Sequence, residues 1–227
     1  MRVEWFKSPH FIRKLVGRCT DRVLWSMSGN SSSFWNNHYR LGGTSGPGSR
    51  GALGDYKARF LNEFVASYSV NSVIEFGCGN GDQLTLARYP QYVGLDTSNV
   101  VIRDVAKRFQ NDNTKSFFGY HPRAFFDYSS ILCCDLALSI DVLFHIIEDD
   151  LYYLHLSQLF SAALQWVIIY STNADDPKTD VPYTKHRRFV QDIPLSQGWN
   201  LVHTEANPHG ELTRSEFFVF GKSVYRA

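Results

Sequence analysis

The chain alternates short apolar runs with longer segments in which apolar residues recur at helical spacing. Strands are predicted at residues 72–76, 92–96, 115–119, 132–140 and 166–172. Helices are predicted over 52–68, over 82–88, from Ser98 to Phe109 and from about residue 148, with the acidic residues 148–150 in the first turn of this last helix. Strands that alternate with helices indicate a mainly parallel sheet with helices on both faces.

The C-terminal part of the chain departs from this alternation. Two strand-like segments, WNLVHTE at 199–205 and SEFFVFGK at 215–222, are separated by a turn-rich segment without a helical pattern. A hairpin is therefore expected, which places an antiparallel strand beside the parallel ones. The predicted fold class is α/β, with a doubly wound, mainly parallel sheet.

Composition narrows the class of protein. A chain of 227 residues with 44% apolar content can form one domain with a short appendage. Its net charge of +1 lacks the basic surplus of a nucleic-acid-binding protein. The cysteines, Cys19, Cys78, Cys133 and Cys134, show neither CxxC nor zinc-ligand spacing, so we expect reduced thiols and no metal site. No apolar stretch approaches the roughly 18 residues that span a bilayer, so we expect no membrane span and a cytoplasmic location.

Residues 1–51 are predicted to form an N-terminal arm and a glycine-rich lid segment, ahead of a main domain over 52–227. Residues 1–40 carry seven Lys or Arg against two acidic residues, together with three tryptophans. Such an arm either packs its aromatic side chains on the main domain or forms a lid or an interface with an acidic partner. The next segment, GGTSGPGSRG at 42–51, has too many glycines for a regular element. It is either a lid or a plain linker.

A glycine-rich turn follows the first predicted strand. The stretch IEFGCGNGDQ places Gly77, Gly79 and Gly81 at alternate positions, where glycine permits positive φ and close approach of the main chain to a ligand. In an open parallel sheet, this first strand-to-helix turn usually supplies the ligand site. The spacing differs from GxGxxG and from a P-loop, and the carboxylates of Glu75 and Asp82 would repel a pyrophosphate. A less anionic ligand is expected.

The second predicted strand ends in YVGLDTS, with Asp96 lying 15 residues beyond Gly81. A carboxylate there can accept hydrogen bonds from both hydroxyls of a ribose. Taken alone, Asp96 is more typical of a helix N-terminal residue that is bonded to backbone. Together, ExGxGxG and GLD make the chain resemble the class I S-adenosylmethionine-dependent methyltransferases over about residues 52–222. The resemblance implies a Rossmann-like, seven-stranded sheet with an antiparallel last strand, and S-adenosylmethionine as cofactor.

The resemblance also implies a set of cofactor-binding residues. Glu75 and the three glycines would border the methionine part, and Asp96 would hold the ribose. The complete implied set is Glu75, Gly77, Cys78, Gly79, Gly81, Asp96 and Thr97. The segment after the third strand lacks an acidic residue, so Phe117 or Phe118 either stacks on the adenine or belongs to the core.

A candidate base follows the fourth predicted strand. The stretch SIDVLFHIIEDD places Asp141 and His145 four residues apart, so that a helical turn would put both on one face. His145 is then a candidate general base for a hydroxyl acceptor, oriented by Asp141; a capping or core histidine is the alternative. The tetrad SIDV stands where nucleobase N-methyltransferases carry NPPY or DPPY, which disfavours a nucleic-acid acceptor.

A basic cluster follows the fifth predicted strand, in YTKHRRFV at 183–190. His186 and Arg187, with Arg50, are expected to hold an anionic group of the acceptor. The alternative is a solvated face with one arginine paired to Asp180 or Asp192. The chain also resembles a bacterial subset of these methyltransferases, some of which are associated with surface-polysaccharide or small-molecule tailoring. Four stretches carry this resemblance: SxDVxxH, GGTSGPGSRG, WVIIYST and KHRRF.

The hypothesis is O-methylation of a small-molecule or glycan acceptor, with no nucleic-acid partner. Two alternatives stay open: a protein methyltransferase recruited through the basic arm, and a non-catalytic scaffold that binds the cofactor. The sequence makes no prediction about oligomeric state.

Overall fold

The computed structural model describes residues 21–175, 181–193 and 198–223. Seven strands form one sheet in the order β3-β2-β1-β4-β5-β7-β6, and β7 runs antiparallel to both of its neighbours. The predicted Rossmann-like sheet with an antiparallel last strand is therefore confirmed. The strands are β1 (Ser72–Phe76), β2 (Gln91–Asp96), β3 (Lys115–Gly119), β4 (Cys134–Ile140), β5 (Ala163–Ser171), β6 (Trp199–Glu205) and β7 (Glu216–Lys222).

Helices cover both faces of this sheet. The described α-helices are α1 (residues 21–28), α2 (Ser31–Arg40), α3 (Gly51–Ser67), α4 (Asn99–Arg108) and α5 (Asp149–Ser161). The apolar stripe of α5, with Leu156 and Phe160, packs in the same core cluster as Ile74 of β1. The stripe of α3, with Leu61 and Phe64, belongs to the core on the other face. The central strands are buried on both sides, which explains their continuous apolar runs.

The helix predicted over 82–88 is wrong in length, since only a 3-10 turn at Gln83–Leu86 forms. Pro90 and the start of β2 leave too few residues to nucleate an α-helix. The cap predicted at Ser98 is present, because its side chain accepts a hydrogen bond from the backbone N–H of Val101 at 3.4 Å.

The N-terminal segment docks on the carboxyl edge of the sheet. Ser31 donates from both its backbone N–H and its hydroxyl to the carboxylate of Glu148, at 2.9 and 2.7 Å. The hydroxyl of Ser98 donates to the side-chain carbonyl of Asn36 at 3.1 Å. Residues 31–49 thus cover the edge where ligands bind in this class of sheet.

The N-terminal arm and the predicted absence of a membrane span can be compared only with the described residues. The basic residues of the predicted arm up to Arg18 lie outside the described residues, so the arm is described from residue 21 onward. Among the described residues, every helix is too short or too polar to cross a bilayer.

Candidate cofactor and acceptor site

A cavity of about 490 Å³ lies between the carboxyl ends of the parallel strands and the N-terminal segment. Its walls come mainly from four places. They are the end of β1 and the turn after it (Glu75 to Gln83, except Phe76 and Gly81), Asp96 and Thr97 at the end of β2, the stretch 140–146 at the end of β4, and the covering segment 31–49. This volume is in the range of small-molecule sites.

The glycine turn after β1 is built so that only glycine fits. Gly77 has φ +86°, and a Cβ there would lie 2.5 Å from the side chain of Val142. Gly79 has φ +55°, and a Cβ there would lie 2.3 Å from the hydroxyl oxygen of Ser45. The main chain at both positions lines the cavity, and their predicted contact with a cofactor stays a prediction.

The third glycine has a different role. Gly81 also has positive φ, but a Cβ there would lie 2.7 Å from Val105 and 2.8 Å from Phe109. Its contacts hold the turn against α4 and its end, and Gly81 is not one of the described residues that line the cavity. The predicted cofactor contact at Gly81 is therefore corrected to a packing role. Cys78 and Thr97 do line the cavity.

Asp96 joins the end of β2 to the glycine turn. One carboxylate oxygen accepts from the backbone N–H of Gly79 at 3.0 Å, and the other from that of Ser98 at 2.8 Å. Burial raises the pKa of Asp96 to about 6, although these N–H donors oppose the shift. Each carboxylate oxygen keeps a lone pair for a ribose hydroxyl. The backbone-bonded and ligand-binding alternatives for Asp96 are thus compatible.

Glu75 lies under the glycine turn. The residue is 7% exposed, and its carboxylate accepts a hydrogen bond from the Tyr92 hydroxyl at 2.6 Å. Burial raises its pKa to about 7, while Tyr92 and Lys57 act in the opposite direction. Glu75 therefore changes its charge near neutral pH.

A buried ion pair, absent from the sequence prediction, connects α3 to the end of β4. The ammonium of Lys57, with a side chain 1% exposed, lies 2.6 Å from the carboxylate of Asp141. Asp141 has φ +58°, and its backbone N–H donates to the backbone carbonyl of Tyr170 at 2.9 Å. Lys57 lies four residues from Leu53 and from Leu61, on the buried face of α3. A lysine on the apolar stripe of a helix is the sequence signal from which a buried ion pair could have been predicted.

His145 is oriented by a backbone carbonyl and not by Asp141. The predicted helical turn is wrong: Asp141 ends the strand with positive φ, and His145 ends a 3-10 turn at Leu143–His145. The Nδ1 atom of His145 lies 3.2 Å from the carbonyl oxygen of Tyr183. A carbonyl only accepts, so Nδ1 carries the proton and Nε2 is the acceptor nitrogen. Burial lowers the pKa of His145 to about 4, which keeps the ring neutral at pH 7.

Solved methyltransferases share this architecture. The methyltransferase domain of bacterial CtHen1-C matches with a TM-score of 0.60 and 18% identity, over 75% of this chain and 98% of that one. Magnesium protoporphyrin IX methyltransferase (ChlM) from Synechocystis PCC 6803, with bound S-adenosylhomocysteine, matches with a TM-score of 0.60 and 16% identity, over 75% of this chain and 84% of that one. N-methyltransferase NodS from Bradyrhizobium japonicum WM9 matches with a TM-score of 0.58 and 14% identity, over 75% of this chain and 94% of that one.

The fold is that of the S-adenosylmethionine-dependent methyltransferases. No protein-family model and no curated protein sequence matches the chain. Of these three names, only that of ChlM states what is methylated, and identities of 14–18% bear on fold and not on acceptor. The narrower resemblance to a bacterial tailoring subset stays a prediction.

The residues predicted to hold an anionic acceptor do not line the cavity of this methyltransferase fold. Arg187 donates to the carbonyls of Ile146 and Ile147, both at 2.9 Å, and to the carboxylate of Asp149 at 2.8 Å. Its guanidinium also lies 4.2 Å from the centre of the Tyr152 ring. The acceptor contact predicted for Arg187 is therefore corrected to a structural one, because the loop carbonyls of Ile146 and Ile147 and the carboxylate of Asp149 already hold this side chain.

The other two predicted acceptor residues are also held elsewhere. Arg50 forms an ion pair with Asp82 at 2.5 Å. The Nδ1 atom of His186 lies 2.6 Å from the hydroxyl oxygen of Thr172. The His186 ring lies behind Phe144, which lines the cavity, and His186 itself does not line it. The acceptor contacts predicted for Arg50 and His186 are corrected to structural ones.

Aromatic side chains line the part of the cavity near His145. They come from α2 and from the segments after β4 and β5, and sequence reasoning assigned them no individual role. They are Phe34, Trp35, His38, Tyr39, Phe144 and Tyr183. On α2 these residues recur at positions 34, 35, 38 and 39, which is the spacing of one helical face.

Proposed function

We propose that this protein transfers a methyl group from S-adenosylmethionine to a hydroxyl of an uncharged small-molecule or glycan acceptor. The observation that carries the proposal is the arrangement of Asp96, Gly79 and the positive-φ turn at the carboxyl edge of a methyltransferase fold. The main chain leaves room for the methionine part, and Asp96 offers its remaining lone pairs to the ribose.

The charges of the lining fit this cofactor. S-adenosylmethionine carries a sulfonium, an ammonium and a carboxylate. The described lining has one lysine, Lys57, which is paired with Asp141. Against it stand five acidic residues: Asp21, Glu75, Asp82, Asp96 and Asp141. A cationic ligand is favoured there, whereas a dinucleotide with its pyrophosphate is disfavoured.

His145 would act as general base. Bound S-adenosylmethionine supplies a methyl group already activated by its sulfonium. The chain then has to align the acceptor oxygen and remove its proton. Nε2 of His145 has a lone pair available because Nδ1 is held by Tyr183. Residues 31–49 cover the cavity and would exclude water during transfer.

The same charges change the expected acceptor. The sequence predicted an anionic group held by Arg187 and Arg50, yet both side chains are held by other partners. In the described lining near His145, a phosphate or uronate would meet the carboxylate of Asp21 and aromatic rings, while Lys57 is paired with Asp141. An uncharged acceptor is the better fit.

Calorimetric titration with S-adenosylhomocysteine, the demethylated product, tests the cofactor site. Saturable binding is expected for the wild type, and Asp96→Asn should weaken it by roughly tenfold or more, since charge-assisted hydrogen bonds contribute about 1.5–3 kcal/mol. Asp104→Asn is the matched control, because Asp104 lies exposed on α4. A folded wild type without heat of binding, or equal affinity in Asp96→Asn, would contradict the proposal.

A further inference from the structure

We infer that α2 and the segments after β4 and β5 form a slot for an uncharged ring that carries a hydroxyl and stacks on Trp35. The inference deepens the proposed function and rests on it. The shared chemistry is a flat, weakly polar ring face with a hydroxyl at its edge, as in a phenol or a pyranose.

Trp35 stands between the proposed base and the glycine turn. Its ring centre lies 4.7 Å from that of His145, edge to face at 72°, and 6.0 Å from that of Tyr39. The hydroxyl of Tyr39 lies 3.1 Å from that of Ser45, which in turn hydrogen-bonds Asn80 in the glycine turn at 2.9 Å. A ring held against Trp35 is thus placed between the base and the cofactor side of the cavity.

Further aromatic faces complete the slot. Phe34 and Tyr183 are stacked with ring centres 4.7 Å apart, and the ring of Tyr183 lies 6.2 Å from that of His145. The carbonyl of Tyr183 also holds Nδ1 of His145. The residue that orients the base therefore also lines the slot, so a ring between Trp35 and Tyr183 would lie close to the proton-accepting nitrogen.

The polar groups of the slot disfavour an anion. Asp21 accepts from the Tyr183 hydroxyl at 3.2 Å and lies 3.5 Å from Nδ1 of His38. The lysine of the described lining, Lys57, is paired with Asp141. A phosphorylated ring would thus meet a carboxylate and aromatic faces without a free cation from the described lining, whereas a neutral ring gains the stacking contacts.

Saturation-transfer NMR with the protein, measured both without and with S-adenosylhomocysteine, tests this inference. The neutral probes are catechol and methyl β-D-glucopyranoside, which separate the phenolic from the sugar source. The anionic probes are phenyl phosphate and glucose 6-phosphate. Trp35→Leu should weaken binding of the neutral probe by about two- to tenfold, the value of one aromatic stacking contact. Trp25→Leu is the matched control, because Trp25 packs on Phe34 at 5.6 Å outside the cavity lining.

Saturable binding of either neutral ring, weakened in Trp35→Leu and kept in Trp25→Leu, supports the slot. Tighter binding of a phosphorylated probe, equal affinity in Trp35→Leu, or no saturable neutral probe overturns it. Titration of S-adenosylhomocysteine into the same variants separates the two proposals. If this ligand fails to bind while a neutral ring still binds in a Trp35-dependent way, the proposed function fails and the ring site stands.

Discussion

The cofactor half and the acceptor half of the cavity are built in different ways. The cofactor half comes from one continuous stretch, residues 72–98, and its shape depends on main-chain conformation at Gly77 and Gly79. The acceptor half is assembled from α2, α3 and the segments after β4 and β5, and side-chain partners shape it. Local backbone requirements are visible in a sequence, whereas side-chain partners distant in sequence are not.

The two halves also treat charge differently. In the cofactor half, the carboxyl groups of Glu75 and Asp96 are buried, with lone pairs left for a ligand. In the acceptor half, Lys57 and Asp141 neutralise each other, and Arg187 bonds to the start of α5. The predictions below probe this contrast.

The largest effect is expected at His145. His145→Ala should lower turnover of any acceptor that the wild type methylates by roughly 100-fold or more, because a positioned base contributes 10²–10⁴. The affinity for S-adenosylhomocysteine should stay unchanged. Wild-type activity should rise with pH through about 4 and then level off, since the neutral ring is the active form. Steady-state kinetics of His145→Ala and His203→Ala, an exposed histidine of β6, make the comparison; equal turnover would rule out the base.

The next effect concerns the glycine turn, which belongs to the cofactor half. Gly77→Ala should lower the free energy of unfolding by roughly 2–5 kcal/mol, because positive φ costs about 1–2 kcal/mol and the clash with Val142 about 1–3 kcal/mol more. Gly42→Ala has the same backbone requirement, φ +82°, but no atom within 4 Å, so it isolates the φ contribution. Val142→Ala should restore part of the loss in Gly77→Ala. Equal losses at Gly77 and Gly42 in denaturant titrations would contradict the close packing.

The buried pair of the acceptor half comes third. Lys57→Met should cost about 2–3 kcal/mol of unfolding free energy, below the 3–5 of a fully buried pair because Asp141 is 27% exposed. Lys57→Met with Asp141→Asn should recover much of this loss, since no uncompensated charge remains. Arg123→Met, which breaks an exposed pair with Asp150, is the control and should change stability little. An additive double variant would show that the two residues are not coupled.

A pH effect distinguishes the cofactor half. Burial raises the pKa of Glu75 to about 7 from an ordinary 4.5, so the folded chain holds a proton that the unfolded chain has released. This group therefore lowers unfolding free energy as pH rises from about 4.5 to 7. Binding of S-adenosylhomocysteine should show the opposite trend, because ionised Glu75 favours the ligand ammonium. As the pH rises toward 7, the affinity should increase by up to about tenfold per pH unit.

Glu75→Gln provides the matched test of this pH effect. The variant should flatten the contribution of Glu75 to both profiles, measured by denaturant unfolding and by calorimetry on either side of pH 7. Asp96, whose pKa is also raised, to about 6, should leave a weaker dependence at lower pH. Unchanged profiles in Glu75→Gln would show that another group titrates.

The fold and the cofactor half were predictable because their signals are local. Apolar runs predicted all seven strands, and the spacing of Gly77 to Asp96 located the turn and the acid that closes it. The role of Gly81 was misassigned because its neighbours, Val105 and Phe109, lie on α4 and at its end. Glycine spacing reports a conformational need but not which side the main chain faces.

The acceptor half was less predictable because its partners are far apart in sequence. Lys57 and Asp141 are 84 residues apart, and Trp35 makes a direct edge-to-face contact with the distant His145, with ring centres 4.7 Å apart. Arg187 illustrates the error most clearly: its basic cluster suggested an anion site, but carbonyls 40 and 41 residues away hold it. The lysine on the apolar stripe of α3 was a usable signal, although it does not identify the partner.

The smallest effect is expected at Arg50, and it tests whether the acceptor half contains an anion site. Arg50 is 56% exposed and shares Asp82 with Arg108, which lies 2.7 Å from the same carboxylate. Arg50→Gln should therefore change unfolding free energy by less than about 1 kcal/mol, because Asp82 keeps one partner. Affinity for glucose 6-phosphate and for methyl β-D-glucopyranoside should change equally little, since the guanidinium lies outside the cavity lining. A selective loss of the phosphorylated probe in Arg50→Gln, with Arg108→Gln as control, would instead place an anion-binding group at the entrance of the cavity.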